Sequence, residues 1–190
     1  MSHSTHFAID VPDSLIQRAK RGDRQAFEQI YHWFERPIYT LGLRLCGQPA
    51  EAQEVLQDCM IKVMTRIAEF NGQSPFWGWL RQIAVNEALM RLRRSAKGFM
   101  EVDVYDSDIA DSATAMPPQA AEAAQMIEAL QTLPPLTRSV LWLYHVEGFT
   151  HEEIARYVGK TPSFSKSQLA RGTQKLRNTL AISPATGTKA

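Results

Sequence analysis

FNGQSPFWGWLRQIAVNEALMRLRRS, residues 70 to 95, is the stretch on which the fold turns. Asn71, Gly72, Gln73, Ser74 and Pro75 interrupt any regular period and leave amides and a hydroxyl for hydrogen bonds to something outside the chain. From Phe76 onward the period is helical: Phe76, Leu80, Ile83, Ala84 and Ala88 share one broad arc, and Val85, Leu89 and Leu92 form a second patch. A helix apolar on more than one side belongs at the centre of its domain. Its last turns carry Arg91, Arg93 and Arg94, which suit the negative end of the helix dipole and equally suit a phosphate backbone.

Upstream, residues 1 to 12 read as a polar, mostly disordered leader. Asp13 and Ser14 predict an N-cap, with Gln17 completing a capping box and Gly22 stopping a first short helix. Asp23 opens a second helix in which Ala26, Phe27, Ile30, Tyr31, Phe34, Ile38, Leu41 and Leu45 recur at three and four residues. Pro37 is expected to kink or divide it. After the break at Gly47, Gln48 and Pro49, a third helix runs to about Glu69 with Leu56, Met60, Val63 and Ile67 inward. Glu51, Glu54 and Asp58 lie three and four residues apart and form an acidic stripe, which an Asp58 to Lys62 pair would brace.

Downstream, residues 95 to about 118 hold Glu101, Asp103, Asp106, Asp108 and Asp111 and follow no period, as a flexible acidic linker would. A helix is expected from Gln119 to Leu133, stopped by Pro134. Pro135 then begins another that buries Val140, Leu141, Tyr144 and Leu136. Thr150 and Glu153 have the spacing of a capping box, with Phe149 placed to staple against Ile154. That helix ends at Gly159, and Thr161 with Pro162 supplies a new cap and a first-turn proline. Two short helices joined through a glycine turn make a helix-turn-helix, whose second member enters the major groove. It displays Lys166, Ser167, Gln168, Arg171, Gln174 and Lys175, and keeps Leu169 and Leu176 for the core.

The charge distribution supports two separate nucleic-acid contacts. Net charge is only +1. Yet Lys160, Lys166, Arg171, Lys175 and Arg177 share one segment without an acid, and Arg81, Arg91, Arg93, Arg94 and Lys97 share another with only Glu87. Cys46 and Cys59 lack the spacing of a zinc site and read as small core residues. No apolar run reaches the length of a membrane span and the N-terminus has no signal-peptide pattern, so the expectation is a cytoplasmic protein with no membrane contact, metal or cofactor.

W-L-R-Q-I-A-V-N at 79 to 86 and R-L-R-R at 91 to 94 resemble the promoter-melting segment of bacterial extracytoplasmic-function sigma factors, members of the sigma-70 family. G-D-R-Q-A-F-E-Q-I-Y at 22 to 31, L-P-P-L-T-R-S-V-L at 133 to 141, G-F-T-H-E-E-I-A at 148 to 155 and K-S-Q-L at 166 to 169 extend the resemblance over residues 13 to 95 and 121 to 181. It implies an all-α protein of two small helical domains joined by the flexible acidic linker. Residues 13–95 would be a region 2 type domain, 96–120 the linker and 121–182 a region 4 type helix-turn-helix domain. E-A-Q-E-V-L-Q-D at 51 to 58 looks like the family's acidic signature, which implies docking on core RNA polymerase through Glu51, Glu54, Gln57 and Asp58. Gln53 stands where the family usually has an acid. The resemblance further implies minus-ten contacts from Asn71, Gln73, Ser74, Trp77, Arg81, Arg91 and Arg94. Minus-thirty-five contacts would come from Lys166, Ser167, Gln168, Arg171 and Lys175. Ser163, Phe164 and Ser165 depart from the family's usual run. Phe164 could touch a thymine methyl or fill the space left by Ser165.

The implied partners are core RNA polymerase and promoter DNA, with an anti-sigma factor or another regulator as a further candidate. Two other classes fit the same sequence: a stand-alone helix-turn-helix regulator, and a sigma-like mimic that binds a regulatory protein. An enzyme fits least. His145 and His151 have no identifiable carboxylate or cysteine partner, and no phosphate-cradling glycine loop is present.

Overall fold

The computed structural model describes residues 7–98 and 118–182, and every regular element in them is a helix. Helices α1 (Asp13–Lys20), α2 (Arg24–Cys46), α3 (Pro49–Arg66) and α4 (Phe76–Gly98) form the first domain. Helices α5 (Pro118–Gln131), α6 (Pro135–His145), α7 (His151–Val158) and α8 (Pro162–Ile182) form the second. The linker expectation falls mainly on residues 99–117, outside the described residues. Among those described, no helix is long and apolar enough to cross a membrane.

α2 and α4 are the axis of the first domain. Ala26, Ile30, Phe34, Ile38, Leu41 and Leu45 are buried along α2 at helical spacing. Both apolar patches of α4 are covered: Phe76, Leu80, Ile83, Ala84 and Ala88 on one side, Val85 and Leu89 on the other. Asp23 caps α2 by accepting from the amides of Gln25 and Ala26. Pro37 neither breaks nor divides this helix, which runs unbroken through it.

Three local expectations are corrected. The cap of α1 is Pro12 and makes no side-chain hydrogen bond, so the Ser14 and Gln17 capping box does not form; Asp13 is the first helical residue. Residues 7 to 12 are not a loose leader: Phe7 and Val11 are buried, and the Phe7 ring sits 6.5 Å from Phe34. The first six residues lie outside the description. Tyr144 is exposed rather than buried and stacks on His151, with ring centroids 4.6 Å apart.

The two domains share one hydrophobic core. Val140, Leu143, Phe149, Ile154 and Val158 join the cluster that holds Leu45, Leu80 and Leu89. α6 packs against α2, and α7 against α4.

Candidate nucleic-acid and partner interfaces

Glu51, Glu54 and Asp58 lie along α3, and one cation from α4 serves all three. Arg91 places Nε 2.7 Å from Glu51 Oε2, Nη2 2.9 Å from Glu54 Oε2 and Nη1 3.7 Å from Asp58 Oδ2. The arginine side chain is only 21% exposed, whereas Glu54 and Asp58 keep 54% and 41%, so both carboxylates can still meet an external surface. Gln57 between them is exposed. The Asp58 to Lys62 pair does not form. Lys62 Nζ instead lies 2.5 Å from Glu87, a buried carboxylate of α4 for which an unpaired charge would be far more costly. Ile61 and Met64 continue this face of α3 with large exposed apolar side chains, which the inward pattern of Leu56, Met60 and Val63 did not flag.

The polar loop is self-braced. Asn71 Oδ1 accepts from the Gln73 amide at 3.1 Å in an Asx turn, while the side chains of Gln73 and Ser74 stay exposed. Phe70, Phe76 and Trp79 cluster behind the loop with centroids 5.2 to 5.6 Å apart, and Lys20 donates to the Phe70 carbonyl. Beneath the loop is a cavity of about 340 Å³ lined by Val11, Ile16, Phe70, Phe76 and Trp77 together with the acids Asp10 and Asp13. The contribution of residues 10 to 13 was not legible in the sequence because no period links that segment to a loop sixty residues away.

In the helix-turn-helix, Thr150 Oγ1 accepts from the Glu153 amide at 3.2 Å and Glu153 Oε2 accepts from the Thr150 amide at 2.8 Å. Gly159 ends α7 with φ +66°. Thr161 Oγ1 accepts from the Phe164 amide at 3.2 Å, and buried Ser165 is 3.0 Å from His151 Nδ1, so the start of α8 is fixed to the start of α7. Gly172 lets α8 lie against α6, since a Cβ there would come within 2.5 Å of Leu141 and 2.8 Å of Thr137. Lys166 and Arg171 point into solvent and Ser167 is half-buried. Gln168 is turned inward, accepting from Thr137 Oγ1 at 2.6 Å, and Lys175 donates to the Thr132 carbonyl at 2.9 Å. Phe164 is half-buried against the core.

Arginines stitch the domains together, each donating to a carbonyl near a helix C-terminus, where the dipole is negative. Arg138 Nη2 donates to Leu45 O at 3.1 Å, Arg81 Nη1 to Glu147 O at 3.0 Å, and Arg93 to Tyr157 O. Arg81 also lies over the rings of Phe149 at 4.6 Å and Trp77 at 5.5 Å, and 3.7 Å from the Glu147 carboxylate. Arg94 remains exposed. Burial pushes the Arg44 and Arg138 guanidiniums below the usual arginine range, and pushes the Cys46 thiol up to about 12 and that of Cys59 higher still. Neither thiol is a poised nucleophile. Among the described residues, no group of three or more His, Cys, Asp or Glu could hold a metal ion.

Residues 30–98 match the sigma-70 region 2 family and residues 123–176 match sigma-70 region 4. The chain is 30% identical over 178 residues to the RNA polymerase sigma-H factor of Pseudomonas aeruginosa, covering 87% of this chain and 92% of that protein. It is 31% identical to the ECF RNA polymerase sigma factor SigE of Mycolicibacterium smegmatis, covering 90% and 69% respectively. Among solved structures, the fold resembles the sigma factor RpoE in complex with the anti-sigma factor NepR from Bartonella quintana, with TM-score 0.56 and 21% identity over 83% of this chain and 98% of that one. It also resembles CnrH in complex with the cytosolic domain of CnrY, with TM-score 0.53 and 19% identity over 90% and 97%.

Proposed function

Starting from a chain that belongs to the sigma-70 family, in its extracytoplasmic-function group, we propose a division of labour among its surfaces. The face of α3 docks on core RNA polymerase, the loop at 71–75 with α4 engages the minus-ten element, and α8 reads the minus-thirty-five element. The protein is a sigma factor: it binds core polymerase and directs it to promoters. The polymerase supplies the catalysis and this chain supplies the address, acting in the cytoplasm.

The observation that carries the assignment is the exposure of three chemically distinct surfaces on braced supports. Glu54, Gln57 and Asp58 offer carboxylates and an amide beside apolar Ile61 and Met64, a composition suited to a basic partner with an apolar border. Gln73 and Ser74 stand over an aromatic-walled cavity, which suits an unstacked base. Lys166 and Arg171 extend from a helix anchored at its start, as groove recognition requires.

In the closed arrangement Arg81 and Arg93 are occupied by carbonyls of the second domain. Their use on DNA therefore requires the domains to separate, and core polymerase is the partner that separates them. A regulator of the anti-sigma kind would act by opposing that step.

The test is transcription by core polymerase on a library of promoter sequences with and without this chain. Transcripts that begin at a shared pair of spaced elements only when the chain is present are the expected result. Tight duplex binding by the chain alone, with no effect on polymerase, would instead identify a stand-alone regulator.

A further inference from the structure

Between the end of α2 and the second domain lies a cavity of about 290 Å³, walled by Leu43, Arg44 and Pro49 on one side and Leu130, Gln131 and Arg138 on the other. Its electrostatics are lopsided. Among the described residues no carboxylate lines it, yet it is bordered by two guanidiniums, one on a residue only 7% exposed. Nε of Arg44 and Nε of Arg138 are both buried without a hydrogen-bond partner among the described residues. Arg138 donates to Leu45 O, and Arg44 lies over the face of Trp142, its guanidinium carbon 5.5 Å from the ring centroid.

Three other buried or half-buried cations have acids, Arg81 with Glu147, Arg91 with the α3 stripe and Lys62 with Glu87, while half-buried Lys20 is held by a carbonyl and a ring. Desolvated charge without a counter-ion is costly, and a carbonyl dipole and a ring compensate it only in part. Pro49 adds a third feature of the same sign. It is the first residue of an 18-residue helix whose N-cap, Gln48, makes no side-chain hydrogen bond, so the positive end of α3 abuts the cavity without a capping side chain. Leu43, Pro49, Ile127 and Leu130 make the rest of the wall largely apolar, with the Gln131 side chain as a further polar group.

We propose that this interdomain cavity binds a small amphipathic anion, a carboxylate or phosphate head on a short hydrocarbon body, with the head between Arg44 and Arg138. The planar guanidinium fork suits either head. Because the walls come from both domains, the ligand favours their closed arrangement and opposes their separation.

The experiment uses the full chain with hexanoate and hexyl phosphate as probes, and hexanol and sulfate as controls lacking the head or the body. Isothermal titration and thermal unfolding are read together. One or both anions should bind saturably and raise Tm by roughly 3–6 °C at about ten times the dissociation constant. Hexanol and sulfate should not do so. Arg138→Gln and, separately, Arg44→Gln should weaken binding by at least about tenfold. Arg44 is the less buried of the two, so its variant tests the site if Arg138→Gln unfolds. Which anion binds more tightly identifies the head. Absence of saturable binding by both anions, equal binding of hexanol or sulfate, or undiminished binding to a folded Arg44→Gln protein overturns the proposal.

Discussion

Arg91 Nε sits 2.7 Å from Glu51 Oε2, so the acidic face of α3 is held from within by the helix whose basic end was expected to meet DNA. The contact neutralises part of the stripe without hiding Glu54 and Asp58. Reversing those two to Lys should change stability little beyond the loss of the Arg91 contacts, about 0–1 kcal/mol for pairs this exposed. Binding to core polymerase should fall by more than about a hundredfold, because like charges would then face each other in a desolvated interface. A pull-down comparing parent and double variant, matched in helical content by circular dichroism, decides between the two effects. Equal recovery would remove the docking role.

The loop at 71–75 separates bracing from recognition. Asn71→Ala should lose the Asx turn, costing roughly 0.5–1.5 kcal/mol and lowering transcription at every promoter alike. Exchanging Gln73 and Ser74 should alter preference at one minus-ten position and leave minus-thirty-five preference unchanged. Selection from a randomised promoter pool distinguishes the outcomes, and a uniform loss for the exchange would make the whole loop structural.

On α8, Arg171→Ala and Lys166→Ala should weaken promoter binding of the holoenzyme. A base contact is worth about 1–3 kcal/mol and is sequence-selective, whereas a phosphate contact weakens all sequences and lowers the salt slope by about one. Gln168 is bonded to Thr137. Gln168→Ala should therefore cost helix packing as well as any DNA contact, visible as a lower Tm in the free protein. Salt-dependent binding to matched and mismatched duplexes separates these cases.

Arg81 joins the domains through a carbonyl, a carboxylate and two rings. Arg81→Gln should weaken the closed arrangement by about 1–3 kcal/mol. Small-angle scattering should show a larger radius of gyration. If Arg81 also contacts DNA, core binding will improve while open-complex formation falls, a split that a purely structural role would not produce.

The thiols predict an alkaline dependence. Cys46 has its pKa raised from 9.0 to about 12 by burial. The folded form then holds its proton where the unfolded form has lost it, so stability falls as pH rises between 9.0 and about 12 and is insensitive to this group below that window. Denaturant unfolding of the parent and Cys46→Ala across that range measures the contribution: the fall should be shallower in the variant, with the part owed to buried Cys59 remaining. Iodoacetamide should label neither thiol of the native protein quickly at pH values below that window.

Both helical stripes of the 76 to 95 stretch, the capping box at Thr150 and Glu153 and the cap at Asp23 were legible because each is a local pattern: a period or a fixed offset within one turn. What escaped was set by partners outside the residue's own element. Lys62 chose Glu87 over Asp58 because the buried carboxylate had more to lose. Tyr144 left the core for His151, Phe7 turned an expected leader into a wall, and Arg81 and Arg138 found carbonyls in the opposite domain. A sequence states which side chains are charged; only the fold decides which charges lose their water.

Gly47 closes α2 with φ +87°, and the Arg138 guanidinium lies so near that a Cβ would come within 2.6 Å of Nη2. The final turn of a helix in one domain and a side-chain rotamer in the other are thus a single inherited character. Any residue but glycine at 47 is strained at this φ and must push the Arg138 guanidinium aside. Substitutions at these two positions, ninety-one residues apart in the chain, should consequently travel as a pair.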